Sequence, residues 1–397
     1  MRPLLLLLLL TLSGVLLPAP AAAQFANFPA ANLVLGAPGF NAAGGGAAGA
    51  SEMDGPSGVA IDPTSGKVFV AVPSQNRVLR FANVAALTNG ANAEAVLGQI
   101  NFAGTGSATT QTGMSYPFSV SVDQQGRLWV ADTTNHRILR FDGAATLGNG
   151  APADRVLGQA NFTNDFSNSG SAGLNYPSSL FADTAGNLWV ADYINNRVLR
   201  YGNAAGLGNG AAASAVLGQA TFAIISAGTS QTKMNRPATV HVDPVGRLWV
   251  SEQLNNRVLR FDAAAGLANG AAANAVLGQA NFTSSTSGFG ASALDNPAGL
   301  AMDATGTLYV GDAGNNRVLF FRNVAAKGNG APADGVFGQV NLTTNAAGVS
   351  QRNLDNPYGS YAVDAGGALW VCDGDNNRIL RFSPDRIRPT GSARPCE

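Results

Sequence analysis

The feature that most constrains the fold is self-similarity. A string at residues 131–141, "ADTTNHRILRF", occurs in related form six times along the 397-residue chain. Its arginine recurs as Arg77, Arg137, Arg197, Arg257, Arg317 and Arg378. A proline recurs as Pro56, Pro117, Pro177, Pro237, Pro297 and Pro357, and a "VLG" or "VFG" triplet starts at Val34, Val96, Val156, Val216, Val276 and Val336. The spacing is 60 residues with single-residue slips. A fixed period of this kind marks a repeat architecture in which each unit is one supersecondary element.

One unit, residues 117–162, reads "PFSVSVDQQGRLWVADTTNHRILRFDGAATLGNGAPADRVLGQANF". Its apolar segments are short, rich in Val, Leu, Trp and Phe, and separated by turn residues, which is the pattern of strands and hairpins. Asp123 opens a turn that Gly126 closes. Four strands per unit and six units predict an all-β, six-bladed β-propeller of four-stranded blades. The ends of the chain agree with a ring. The fourth-strand motif "VLGAPGF" (Val34 to Phe40) precedes any first strand, and the last unit stops after a third strand ending at Phe382. An N-terminal strand completing the last blade closes the ring and leaves no unpaired edge.

The segments "LWVADTTNHRILRF", "LWVADYINNRVLRY" and "LYVGDAGNNRVLFF" resemble NHL repeats, and the resemblance extends over roughly residues 33–382. It implies a propeller. Relatives of this kind serve as protein- or RNA-binding modules, as sensor domains of bacterial kinases and, in related six-bladed families, as lyases and lactonases. The unit here is longer than the usual NHL repeat, mainly in two loops, so the resemblance transfers no loop contacts.

The chain opens "MRPLLLLLLLTLSGVLLPAPAAAQ", with a charge at Arg2, an apolar run from Leu4 to Leu17 and small residues at Ala21 and Ala23. This predicts a signal peptide over 1–23, removed on export to the periplasm or beyond as a secreted protein. The run is shorter than the roughly 20 residues a bilayer-spanning helix needs, so no stable membrane insertion is expected. The propeller is assigned to 24–385 and a C-terminal tail to 386–397. The 24 basic and 24 acidic residues cancel, which argues against a nucleic-acid partner. No cofactor is expected, and the chain is expected to be a monomer.

Among repeated residues, the six arginines are read as structural. Each pairs with an acid at the end of the second strand, at Asp132, Asp192, Glu252, Asp312 or Asp373; blade one has Val72 there and must satisfy Arg77 otherwise. Six aspartates, Asp62, Asp123, Asp183, Asp243, Asp303 and Asp364, are read as hairpin formers in preference to cation ligands. Trp129, Trp189, Trp249 and Trp370, with Phe69 and Tyr309, are read as packing between blades. Cys372 and Cys396 form a disulfide in an exported chain, or else Cys372 fills a small slot held elsewhere by Ala71, Ala131, Ala191, Ser251 and Gly311. Both readings stay open.

Because symmetry makes departures informative, the candidate site is sought among residues that vary between blades. Propeller strand order puts the second-to-third turns and the long fourth-to-first loops, such as 103–116 and 163–176, on one face, and long loops on a rigid scaffold are where binding residues collect. That face is expected to carry Tyr116, Phe118, His136, Tyr176, Tyr193, Arg236, His241, Arg352 and Tyr358. Aromatic and arginine groups suit a protein, peptide or glycan partner, so the expected function is non-catalytic recognition. The alternative is a metal-dependent lyase or lactonase at the channel mouth involving His241. Two histidines make a thin ligand set, no acidic cluster is legible on the loop face, and no catalytic triad order stands out.

Overall fold

The computed structural model describes residues 25–384. The expected signal segment, the tail from 385 and Cys396 lie outside them. Within them, six four-stranded antiparallel sheets form the blades. Blade two is typical, with strands Pro117–Val122, Leu128–Asp132, Arg137–Phe141 and Arg155–Leu157 paired in that order from the channel outward. Inner strands of neighbouring blades pack side by side around the axis. Blades one and six are also bonded directly, Val59 N–H to Ser360 O at 3.0 Å and Ser360 N–H to Ser57 O at 2.8 Å.

The first hairpin shows how two repeated residues cooperate. Asp123 Oδ1 accepts the N–H groups of Gln125 and Arg127 at 3.0 and 3.1 Å, while Gly126 takes the left-handed conformation (φ 74°) that the turn requires. The other oxygen reaches into the blade and accepts from Trp129 Nε1 at 3.1 Å. The same bond joins Asp183 to Trp189, Asp243 to Trp249 and Asp364 to Trp370, and Tyr309 Oη reproduces it with Asp303. The aspartate thus satisfies the one polar atom of a large side chain buried between blades.

The recurring arginines are fully buried and ion-paired as expected, at 2.6 to 2.7 Å for Arg137–Asp132, Arg197–Asp192, Arg317–Asp312 and Arg378–Asp373, and with Glu252 for Arg257. Each guanidinium also ties down loops. Arg137 donates to the carbonyls of Thr110, Gly113 and Phe162, so one side chain pins the loop entering its blade and the loop leaving it. The rigidity of the loop face therefore originates beneath it.

Blade one departs from this plan. Arg77 donates to the carbonyls of Gly49, Glu52 and Phe102, but its Nε has no partner. Burial draws its pKa down to about 10, against the opposing pull of Glu52. Val72→Asp is expected to supply the missing acceptor and to raise stability by about 2 kcal/mol, the worth of a hydrogen bond to a charged group. Urea unfolding would register this as a higher midpoint at unchanged slope; a lower midpoint would show that Arg77 is already served by its carbonyls and Glu52.

The ring closes as the chain ends imply. Leu33–Leu35 pairs with Arg378–Phe382, in the register Leu33↔Arg381, Val34↔Leu380 and Leu35↔Ile379. The segment before it is also used. Asn27 Oδ1 accepts from Val336 N–H at 3.1 Å, a bond made between other blades by Asn149, Asn209, Asn269 and Asn329, and Phe25 O accepts from Arg322. The N-terminus replaces both the outer strand and the latch that blade six lacks. Cys372 is buried, its Sγ 3.5 Å from Ser360 O; the expected partner Cys396 is outside the described residues.

Candidate binding site at the channel mouth

Each inner strand is entered through a residue held in the left-handed region immediately before the repeated proline: Tyr116 (φ 55°), Tyr176 (53°), Arg236 (53°), Asn296 (54°) and Asn356 (48°). Its N–H is fixed by the side chain of the preceding blade's turn. Asn76 Oδ1 accepts from Tyr116 at 2.8 Å, His136 Nδ1 from Tyr176 at 3.0 Å, Asn196 Oδ1 from Arg236 at 3.0 Å, and Asn256 and Asn316 continue the series. The recurring asparagine therefore bridges blades as well as making a turn, and it sets where the lip side chains point. His136 stands in for it as a neutral acceptor. Burial lowers its pKa against the pull of Asp165, and its ring meets Tyr176 edge-on at 4.7 Å.

One residue past the proline, the six blades present Ser57, Phe118, Ser178, Ala238, Ala298 and Tyr358. The two large side chains lie on one side of the mouth and Ser178, Ala238 and Ala298 on the other. Tyr116 stacks on Phe118 (centroids 6.2 Å apart, planes at 22°), and Phe118 on Tyr358 (5.8 Å, 20°), spanning blade one. Tyr358 fits because its neighbour is Gly374, where a Cβ would stand 2.0 Å from its Cε1. Across the mouth, Tyr193 donates to Gln253 Oε1 and carries the Arg236 guanidinium 4.9 Å from its ring centroid.

Together these residues enclose a hollow of about 550 Å³, lined by Tyr116, Phe118, Tyr176, Tyr193 and Tyr358 with Thr133, Gln253, Asn356 and small side chains. Tyr116 is 42% and Tyr176 41% exposed, so the aromatic surface faces solvent. A void of this size, apolar with a few polar groups, matches a small ligand or a side chain of a larger one.

Three carboxylates on the same side were not singled out by the sequence. Asp54 precedes Gly55, whose carbonyl accepts from Tyr358 Oη at 3.4 Å; Asp375 follows Gly374 and accepts from Asn356 Nδ2 at 3.1 Å; Asp355 precedes Asn356. Their field adds to burial. The Tyr358 hydroxyl is pushed up by desolvation and then by its neighbours, Asp375 and Asp54 among them, and Asp355 is raised by desolvation and Asp375. The available signal was blade-specific: position 375 is Asp, whereas its equivalents are Ser74, Thr134, Ile194, Leu254 and Gly314.

Two expected members of the group lie elsewhere. His241 is four residues beyond Pro237 on its inner strand, and at roughly 3.3 Å per residue that rise carries it to the opposite mouth. There it lines a second hollow of about 370 Å³ and packs on Phe181 at 4.4 Å; burial pushes its pKa down to about 4 against the pull of Asp243, so the imidazole is neutral. Arg352 lies at the closing seam, its guanidinium 5.5 Å from the Phe28 ring centroid and donating to Phe28 O. Among the described residues, no three His, Cys, Asp or Glu side chains gather in a way that could hold a metal ion, and no helix is long and apolar enough to cross a membrane.

The NHL repeat model matches residues 114–141 and 294–321. No curated protein matches the sequence. Among solved structures, the chain is similar to a structural-genomics protein of unknown function from Bacteroides thetaiotaomicron, at 15% identity and a TM-score of 0.53, over 91% of this chain and 76% of that one. It is more distantly similar to a virginiamycin B lyase from Staphylococcus aureus, crystallised inactive with quinupristin (15% identity, TM-score 0.47, 84% and 82% covered). A chain of a nidogen/laminin complex also matches, at 15% identity and a TM-score of 0.44, over 71% of this chain and 83% of that one.

Proposed function

For a chain that carries NHL repeats in a closed six-bladed propeller, we propose exported, non-catalytic recognition of a polypeptide partner through the loop-face mouth. The observation that carries this reading is the asymmetric hollow. In a six-fold repeat, one strand position has been given Phe118 and Tyr358 on one side and Ser178, Ala238 and Ala298 on the other. Packing between blades does not impose that inequality, because blades three to five fill the same position with small side chains. Rigid aromatic side chains held by a scaffold lose little entropy on contact, which makes them effective anchors for a binding surface. Long loops above them supply variable contacts.

A displayed library of random peptides panned on the full chain tests the reading. Peptides are expected to enrich, and their binding to fall at least tenfold on a Tyr116→Ala/Tyr176→Ala double variant, since the loss of two anchors at about 1 to 2 kcal/mol each exceeds that factor. Enriched peptides that bind the variant as well as the parent would remove the mouth from consideration. Failure to enrich any peptide would count against polypeptide recognition altogether.

A further inference from the structure

The hollow at the loop-face mouth is not electrically neutral in its surroundings. The stacked wall of Tyr116, Phe118 and Tyr358 lines a hollow of about 550 Å³, and its outer ring, Tyr116, is 42% exposed. Ring faces carry the negative lobe of the aromatic quadrupole and attract cations. Asp54 and Asp375 are exposed beside that wall, each next in sequence to a glycine that touches Tyr358, and Asp375 is oriented by its bond from Asn356. Nothing basic is paired with them: among the described residues, neither takes part in an ion pair. On the far lip Arg236 lies over Tyr193 and has no carboxylate partner either. The mouth is thus polarised in charge, acidic on the side of blades six and one and basic on the side of blade four, where Arg236 lies over Tyr193.

From this arrangement we infer that the wall of Tyr116, Phe118 and Tyr358, with Asp54 and Asp375, is a pocket for a basic side chain, arginine or lysine, of the partner polypeptide. The inference rests on the reading of this mouth as a polypeptide-binding face and assigns its specificity. A guanidinium or ammonium laid against the rings leaves its stem on apolar surface and its N–H groups toward the carboxylates. Arginine fits better than lysine, since its planar head stacks on a ring while still donating in the plane. A neutral amide of similar length lacks the charge for either contact, and an acidic side chain meets two carboxylates.

Fluorescence polarisation of the full chain with four labelled hexapeptides, alternating glycine with arginine, lysine, glutamine or glutamate, provides the test. The arginine peptide is expected to bind about tenfold more tightly than the glutamine peptide, with lysine between them and glutamate weakest. Raising the salt should narrow the difference, because the carboxylates are exposed. Asp375→Asn is expected to weaken the arginine peptide about fivefold and Phe118→Ala by a similar factor, whereas Arg236→Gln should tighten it about twofold by removing a like charge. Asp375 is exposed, so its variant keeps the inference testable should Phe118→Ala fold poorly. Glutamine or glutamate peptides binding as tightly as arginine would overturn the inference and leave polypeptide recognition standing. An Asp375→Asn chain with unchanged arginine affinity would do the same. No binding by any of the four peptides would overturn the inference, and the library enrichment decides separately whether the wider reading falls with it.

Discussion

Deleting residues 25–36 is expected to yield a chain that no longer closes, recovered as dimers, larger assemblies or insoluble protein. The deletion removes the strand Leu33–Leu35, in which Val34 and Leu35 are fully buried, and with it the Phe25 side chain packed 4.9 Å from Phe337. At about 1.5 to 3 kcal/mol for each large apolar side chain, the loss amounts to several kcal/mol, a large part of the 5 to 15 kcal/mol that holds a typical domain together. It also exposes the edge of Arg378–Phe382, a ready template for pairing with another chain. Size-exclusion chromatography and a circular-dichroism melt would read the outcome. A monomer melting cooperatively within a few degrees of the parent would mean that blade six is held by its neighbours alone.

The second large effect is expected at a buried ion pair. Asp192 accepts from Arg197 Nε at 2.7 Å, from Asn195 Nδ2 at 2.8 Å and from Asn175 N–H at 2.7 Å, and both charged side chains are fully buried. Asp192→Ala leaves the buried Arg197 charge without its counter-ion and its Nε, the Asn175 N–H and one N–H of Asn195 without an acceptor, at a cost of about 3 to 5 kcal/mol. Blade one lives without this acid, but there Glu52 lies near Arg77, whereas the equivalent position in blade three is Gly173. The double variant Asp192→Ala/Arg197→Met is expected to recover part of the loss by removing the stranded charge. Recovery stays partial because Arg197 also donates to the carbonyls of Ser169, Gly170, Gly173 and Phe222. Urea denaturation of the parent, both single variants and the double variant completes the cycle. A single-variant cost below about 1 kcal/mol would show that the loop carbonyls alone satisfy the arginine.

The contrast between fold and site is one of symmetry. Much of what repeats was legible, because several copies average out local accident: the strands and the aspartate hairpins in all six units, and the arginine–acid pairs in five, while the frame shift at the chain ends implied closure of the ring. Even there, the pattern did not reveal that the aspartate serves Trp129 or that Asn76 holds Tyr116 in the next blade, since both bonds depend on which way side chains point in three dimensions. The site is the unsymmetrical remainder. Tyr116, Phe118 and Tyr358 were all singled out by their variation, but Tyr358 comes from the other end of the chain, and only closure places it at 5.8 Å from Phe118. Asp54 and Asp375 are unremarkable loop residues until that juxtaposition is known. His241 was expected on the loop face, and strand rise carries it to the opposite mouth, while Arg352 stays on its fourth-to-first loop but turns to Phe28 at the closing seam.

The aromatic wall straddles the seam between blades one and six. Phe118 belongs to the second unit synthesised and Tyr358 to the last, and the bonds between Val59, Ser57 and Ser360 that bring the two sides together form only when the final blade docks. A nascent or truncated chain, however well its early blades have folded, carries half a wall and no pocket. On the proposed reading, recognition would be licensed by completion: a partner would engage finished rings and ignore fragments, so proteolytic loss of either end would silence binding outright and not weaken it by degrees.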